Sequence, residues 1–305
     1  MRLMITFITQ LAPLYSLIIV GYVAGRKLKI QKESMASLVM YIITPPVIFL
    51  GVYKAPHTHE YALLPFIFAL ISSLIAICSY WIAKKRFTGI TPNLLSFLAG
   101  STNVGYFGLP ALMTVVGPKA FPVLAQFVVG MALFQTTVGV FILLRGKMSV
   151  IDGLKKTLTL PILHGFLLGL LFKYAQIPLS ASLENFLEHF KGAYSITGMM
   201  MIGLTLKKIK WTKDNSAFIA YTLFFKFLVW PLTLYGFIWL DRHLFHLYDP
   251  FTQSIFLMLA FVPIAANTMS YTVELKVINE EITFAVILST IIGFFLFPLM
   301  LPSIL

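Results

Sequence analysis

The sequence has few charged residues and a single cysteine. Only 11% of its 305 residues are charged, whereas a soluble domain carries roughly 25%. So little charge cannot keep the surface of a water-soluble chain of this length hydrated, which excludes an ordinary globular protein. The one cysteine, Cys78, lies inside an apolar run, so a disulfide framework is excluded as well.

Several motifs that mark energy-consuming or catalytic proteins are also absent. The chain has no G-x-x-x-x-G-K-[ST] loop, no H-E-x-x-H pair and no G-x-S-x-G turn. Phosphate cradles, zinc sites and esterase-type nucleophiles rely on these patterns. We therefore expect no ATP-driven machinery, no enzyme, and no metal or cofactor.

Apolar residues make up 59% of the chain, and its mean hydropathy is +0.89. Ten apolar runs are present, most of them near the 20 residues that span a bilayer. Their approximate bounds are 7–25, 35–53, 62–83, 93–116, 121–144, 158–174, 193–206, 217–240, 252–275 and 282–303. The sequence thus predicts an all-α polytopic membrane protein with about ten transmembrane helices.

The basic residues cluster in alternate connections between these runs. The clusters occupy 26–32, 84–86, 145–156 and 207–213, with Lys276 in the last connection of the set. The positive-inside rule places these connections in the cytoplasm and both termini outside, with the first run retained as a span. The net charge of +12 is therefore explained by membrane orientation, and we expect no nucleic-acid partner.

Splitting the chain into 1–150 and 151–305 gives two sets of five spans, the second inverted in the membrane. Spans one and six both carry glycines before a polar exit. Between spans six and seven, residues 174–192 have apolar residues at helical spacing. This segment forms either an amphipathic helix in the interface or an extension of span seven.

The fourth span of each half is the one most interrupted by Gly, Pro and Asn. Asn103, Gly105 and Pro110 interrupt span four, and Pro263 with Asn267 interrupts span nine. Gly and Pro break helices, and irregular backbone in a membrane survives only where it is buried or lines a cavity. Matching breaks predict two crossed helices with a binding site between them, their N-terminal ends favouring an anion. Ordinary kinked helices are the alternative.

Other polar residues inside the spans are weaker candidates for this site. Lys226 lies in span eight, where it either neutralises a substrate carboxylate, replaces a coupling cation, or caps carbonyls freed by a broken helix. Gln126 and Gln135 in span five either line a cavity or bond to neighbouring helices. Thr44, beside two prolines in span two, forms either a cavity wall or a hinge.

These residues resemble the auxin efflux carrier family, which includes plant auxin carriers and many bacterial permeases. The resemblance covers essentially the whole chain and follows the order of six short motifs. They are LVMYIITPPVIF, the N-x-G-x-x-G-L-P break at Asn103 to Pro110, TGMMMIGLTL, KFLVWP, the Pro263 break and LST…FP at Leu288 to Pro298.

The resemblance implies two inverted five-helix repeats, the architecture of bile-acid symporters and sodium–proton antiporters. It also implies an elevator-like step, a small organic anion such as a carboxylate or auxin-like weak acid, a bacterial inner membrane and a homodimer. The residues expected to bind the substrate are Thr44, Asn103, Gly105, Tyr106, Gln126, Lys226, Pro263 and Asn267. The sequence departs from the plant members of the family in two ways. It lacks their long central loop, and it has no Asp or Glu in the middle of span three. Alternative functions are a sodium-coupled symporter and a non-transporting receptor.

Overall fold

The computed structural model describes residues 2–144, 151–152, 155, 158–206, 216–274 and 280–304. Across these residues the chain is helical and contains no strand. The continuous helices are α1 (Arg2–Lys27), α2 (Lys32–Tyr53), α3 (His59–Ala83), α4 (Thr91–Gly100), α5 (Val104–Val116), α6 (Pro118–Leu143), α7 (Pro161–Tyr174), α8 (Ala181–Thr205), α9 (Ser216–Phe245), α10 (Pro250–Ala260), α11 (Thr268–Glu274) and α12 (Glu280–Met300).

Within the described residues, six helices are long and apolar enough to cross a membrane. They are α1, α2, α3, α6, α9 and α12. The all-helical membrane protein predicted from composition is thereby confirmed. The other predicted runs coincide with α7, with the charged helix α8, and with two pairs of short helices, α4–α5 and α10–α11.

Helix α8 decides between the two interpretations of the segment at 174–192. It runs without interruption for 25 residues, from Ala181 to Thr205. Ser180 caps its start, accepting a hydrogen bond from the Leu183 amide at 3.3 Å. The polar segment is therefore the first half of the helix that contains the seventh run, and it is not a separate interfacial helix.

Wide π-type turns occur shortly before prolines in three places. Leu38–Ile43 precedes Pro45, Val104–Gly108 precedes Pro110, and Phe225–Val229 precedes Pro231. Proline cannot donate to the preceding turn and its ring clashes with a carbonyl there, so the helix widens at that point. In α2 the Thr44 hydroxyl donates to the Val39 carbonyl at 2.7 Å.

Glycines allow two helix pairs to approach closely. In α1, a Cβ added to Gly21 would overlap the backbone of Met200 in α8. In α7, a Cβ on Gly165 would lie 2.5 Å from the Pro45 carbonyl of α2. Each glycine begins a G-x-x-x-G pattern, the spacing that lets membrane helices pack backbone to backbone.

Two carboxylate clusters lie in connections at the ends of helices. Asp249 caps α10 by accepting from the Thr252 amide at 2.9 Å, and it also accepts from the Tyr61 hydroxyl at 2.6 Å. Partial burial opposes ionisation of Asp249, but the bonds from Tyr61 and Thr252 outweigh it and lower its pKa. This pairing joins the start of α10 to α3.

The second cluster joins α2 to α8. Lys54, at the end of α2, lies 2.6 Å from Glu184 and 2.7 Å from Glu188. Partial burial opposes ionisation of Glu188, yet hydrogen bonds from Lys191 and Lys54 lower its pKa. Burial also opposes the charge on Lys54, but its bonds to Glu184 and Glu188 raise its pKa.

Part of the charge pattern used to orient the chain lies outside the described residues. These positions are Arg145, Lys147, Lys156, Lys207, Lys208, Lys210, Lys213 and Lys276.

Candidate functional site at the meeting of two interrupted helices

Both predicted interruptions are present, but the first lies at 101–103, just before Gly105 and Pro110, which belong to the first turns of α5. Helix α4 ends at Gly100, Ser101 is extended, and the helix resumes at Val104. Helix α10 ends at Ala260, and the chain becomes helical again at Thr268. Apart from the partly buried Asn267, the residues between these ends are buried, so their free backbone groups require partners inside the protein.

The two interruptions meet and pair with each other. The backbone N–H of Asn103 donates to the Pro263 carbonyl oxygen at 2.8 Å. Thr102 and Ile264 form an isolated antiparallel bridge, which is the arrangement of two short β-strands. Each break therefore satisfies part of the backbone that the other leaves free.

Side chains from α9 satisfy further groups at this meeting point. The Trp230 indole donates to the Ala99 carbonyl at 2.6 Å, near the end of α4. Lys226, only 1% exposed, donates to the Thr102 hydroxyl at 2.8 Å, and its nitrogen lies 4.6 Å from the centre of the Trp230 ring. Thus Lys226 contacts the paired breaks from behind, as expected for a residue that supports them.

A cavity of about 90 Å³ opens beside the paired breaks. Drug-sized ligands occupy pockets of roughly 300–1,000 Å³, so this conformation accommodates only a small solute. The residues around it come from α2, α5, α6, α8, α11, both breaks and the start of α7. Its polar and aromatic lining consists of Thr44, Thr102, Asn103, Tyr106, Gln135, Tyr194, Asn267 and Tyr271.

Two amides face each other across part of this lining. The Asn267 Nδ2 donates to Gln135 Oε1 at 2.8 Å, and Gln135 Nε2 donates to Asn267 Oδ1 at 3.1 Å. Gln135 begins a π-type turn in α6, so the widened helix presents its amide to the second break. The pair links α6 directly to the chain between α10 and α11.

Asn103 differs from this pair, because its Nδ2 is buried and has no hydrogen-bond partner among the residues that the structure describes. A buried donor without an acceptor costs roughly 1–3 kcal/mol, so it calls for an explanation. An acceptor atom of a bound solute is one such explanation, since Asn103 lines the cavity.

Gly105 allows α8 to approach the first break. A Cβ at this position would overlap the Tyr194 hydroxyl. Tyr194 is 2% exposed, and the centre of its ring lies 6.2 Å from that of Tyr106. The two tyrosines and the glycine together form the aromatic wall of the cavity.

The structure brings together five of the eight residues predicted to bind substrate. These are Thr44, Asn103, Gly105, Tyr106 and Asn267, all of which line the cavity. Pro263 and Lys226 instead contact the backbone and hydroxyl of the paired breaks. Gln126 is buried with an unpartnered Oε1 and lies outside the cavity lining.

Four polar or aromatic lining residues, Thr102, Gln135, Tyr194 and Tyr271, are absent from the eight residues expected to bind substrate, although Gln135 was a weaker candidate. The sequence indicated Gln135 as a site candidate, because it is a polar residue inside an apolar run, and its π-type turn determines where the amide points. The sequence did not indicate Tyr194, since a tyrosine at the start of an apolar run is equally typical of the membrane interface.

Among the described residues, no group of three or more His, Cys, Asp or Glu side chains is placed to hold a metal ion. A scan against models of known protein families finds no match, and a search of curated proteins finds none either.

Proposed function

We propose that this membrane protein is a secondary transporter that moves a small organic anion by alternating access. The observation that carries the proposal is the pairing of two interrupted helices, through Asn103 and Pro263, beside a cavity lined by amides. Membrane proteins tolerate such buried irregular backbone chiefly where it lines a substrate or ion pathway.

The chemistry of the cavity favours an anion. Among the described residues that line it there is no Asp, Glu, Lys or Arg, whereas Asn103 offers an N–H donor with no partner among them. The cavity also lies at the N-terminal end of α5, a helix of 13 residues, where the helix dipole attracts negative charge. Lys226, directly behind Thr102, adds positive potential whenever it is protonated.

The further architecture follows from the resemblance to auxin efflux carriers. We place the chain in that family, with ten spans, repeats at 1–150 and 151–305, a bacterial inner-membrane location and both termini outside. Two helix contacts support the repeat. Helix α1 packs through Gly21 on α8, and α7 packs through Gly165 on α2. In the proposed repeat α1 corresponds to α7 and α2 corresponds to α8, so the contact of α1 with α8 is the counterpart of the contact of α7 with α2.

In an elevator-type step, α5 with its break would slide along α8. In the contact between them each helix presents a glycine to a tyrosine of the other, since Gly105 of α5 faces Tyr194 and a Cβ on Gly198 of α8 would lie 3.2 Å from the Tyr106 Cα. Glycines at such a contact let the two backbones approach closely. A homodimer, with the fixed helices at its centre, is part of the same proposal.

Flux measurements in proteoliposomes test this function. Candidate mono- and dicarboxylates and indole acids are first screened by thermal shift on the purified protein. A ligand at a hundred times its dissociation constant stabilises the folded state by about 2.7 kcal/mol. Flux of the best stabilising acid is then compared between wild type and variants of Asn103.

Asn103→Ala should reduce flux about tenfold to a hundredfold, because a hydrogen bond to a charged group contributes about 1.5–3 kcal/mol. Asn103→Asp should reduce it further, since a carboxylate there repels an anion. The matched control is Asn185→Ala, an exposed asparagine in the polar half of α8, which should transport normally. Unchanged flux in both Asn103 variants would rule out this site.

Three alternative functions give different results in the same vesicles. A sodium-coupled symporter would lose flux when Na⁺ is removed, and we expect no loss because no carboxylate lines the cavity. A receptor would bind the acid without any flux. An intramembrane enzyme would convert it chemically.

A further inference from the structure

A second and larger groove lies at one end of the helix bundle, away from the paired breaks. It has a volume of about 540 Å³ and is formed by the end of α3, the start of α4 and the end of α6. Its lining residues are Ile77, Tyr80, Trp81, Gly89, Asn93, Phe141 and Ile142. The proposed transport function does not involve this groove.

The walls of the groove suit a hydrocarbon chain. Ile77 and Trp81 are 42% and 61% exposed on α3, a helix long and apolar enough to cross a membrane. The polar wall residue Asn93 is already satisfied, because its Nδ2 donates to the Ile142 carbonyl at 2.6 Å. A chain lying in the groove would therefore leave no amide donor without a partner.

Three cations follow the end of α3 that helps to form the groove. Lys84, Lys85 and Arg86 follow α3 directly, all three side chains are exposed, and no acidic residue occurs between Ala83 and Thr91. The Lys84 nitrogen lies 5.6 Å from the centre of the Trp81 ring. Trp and Tyr followed by Lys or Arg are typical of the level where lipid headgroups begin.

We propose that this groove binds an anionic phospholipid, with its phosphate at Lys84, Lys85 and Arg86 and one acyl chain against Ile77 and Trp81. Basic pockets between membrane helices bind anionic headgroups in this way. A soluble acidic partner would meet the cations but would gain little from Ile77 and Trp81, which are exposed on a helix long and apolar enough to cross a membrane. The combination of apolar walls and cations therefore favours a lipid over an acidic peptide.

Native mass spectrometry of the full chain in neutral detergent, titrated with phosphatidylglycerol or phosphatidylcholine, tests the proposal. Each cation near an anionic surface contributes about fivefold in affinity, so three contribute roughly a hundredfold. Replacing Lys84, Lys85 and Arg86 together by Gln should remove that preference for phosphatidylglycerol. Because the three side chains are exposed, the variant should melt like wild type.

The matched control replaces Arg26, Lys27 and Lys29 by Gln, which removes the same charge from another exposed connection. It should bind phosphatidylglycerol as wild type does. A second variant, Ile77→Trp, should weaken binding by filling the groove while keeping every cation.

Four results would overturn the proposal. They are equal loss of binding in both triple variants, equal affinity for the two lipids, displacement of the lipid by soluble glycerol phosphate, and preferential binding of a poly-glutamate peptide. The first indicates unspecific attraction, and the second the absence of a headgroup site. The third indicates a site for a free phosphate compound, and the fourth a protein-docking surface.

Discussion

The contact between Gly105 and Tyr194 permits a sharp test of the geometry of the candidate site. In Gly105→Ala the new Cβ would overlap the Tyr194 hydroxyl. That ring is 2% exposed, so it has no space into which to retreat. We expect this variant to be destabilised by about 1–3 kcal/mol, the usual cost of overpacking a buried contact.

The structure also predicts how the damage is repaired. The ring carbon Cζ of Tyr194 lies 3.7 Å from the position of the added Cβ, an ordinary van der Waals distance. Removing the hydroxyl with Tyr194→Phe should therefore restore most of the stability of Gly105→Ala. The two substitutions should couple favourably by about 1–3 kcal/mol in a double-mutant cycle.

Gly192→Ala is the matched control, two residues before Tyr194 in the same helix. A Cβ at Gly192 meets nothing within 4 Å, so the substitution should stabilise α8 by up to about 1 kcal/mol. The assay is the free energy of unfolding in mixed detergent micelles, measured for the four members of the cycle and the control. Additive effects of Gly105→Ala and Tyr194→Phe would refute the proposed contact.

Three further predictions concern groups outside this contact. Thr102→Val should destabilise the protein by about 2–3 kcal/mol, because it leaves the Lys226 donor buried without an acceptor. In a Lys226→Met background the same substitution should cost less than about 1 kcal/mol. Equal losses of unfolding free energy in the two backgrounds would contradict this hydrogen bond. Glu188→Gln should cost less than about 1 kcal/mol at pH 7, since the ion pairs are partly exposed. Because the pKa of Glu188 is lowered on folding, its stabilisation is present above the ordinary carboxyl pKa of about 4.3 and is lost as pH falls below it, so melting curves of wild type and variant should converge in acid. Asp249→Ala should cost about 2 kcal/mol through loss of the α10 cap and the tyrosine bond, more than Ser180→Ala, which removes a cap with one longer bond; thermal melting that ranks them in reverse would contradict the assignment.

Several features of the fold could be predicted because they depend on local chemistry. The membrane class follows from composition, since a chain with 11% charged residues needs an apolar solvent. The interruption at Pro263 follows from the local effect of proline on helical backbone, whereas the first one lies at 101–103, a few residues before Gly105 and Pro110. Five of the eight predicted site residues lie around one cavity for the same reason, as they cluster at or near such interruptions.

The role of Lys226 could not be derived in the same way. A lysine inside a span is expected either at a substrate or behind a structural break, and its position in the chain is compatible with both. The structure places it against Thr102, which is 124 positions away in the sequence. Gln126 and Gln135 lie on one helix about two and a half turns apart, so they point to opposite faces, and the structure places the cavity on the face of Gln135.

Sequence alone determined that this protein lives in a membrane, that it is helical, and where its helices break, because apolar content and the backbone limits of Gly and Pro act within a few residues. Only the tertiary structure showed that the backbone N–H of Asn103 bonds to the Pro263 carbonyl, that the Tyr194 hydroxyl contacts Gly105, and that Lys226 bonds to Thr102. These contacts join residues far apart in the chain. They depend on how whole helices pack, which no local pattern specifies.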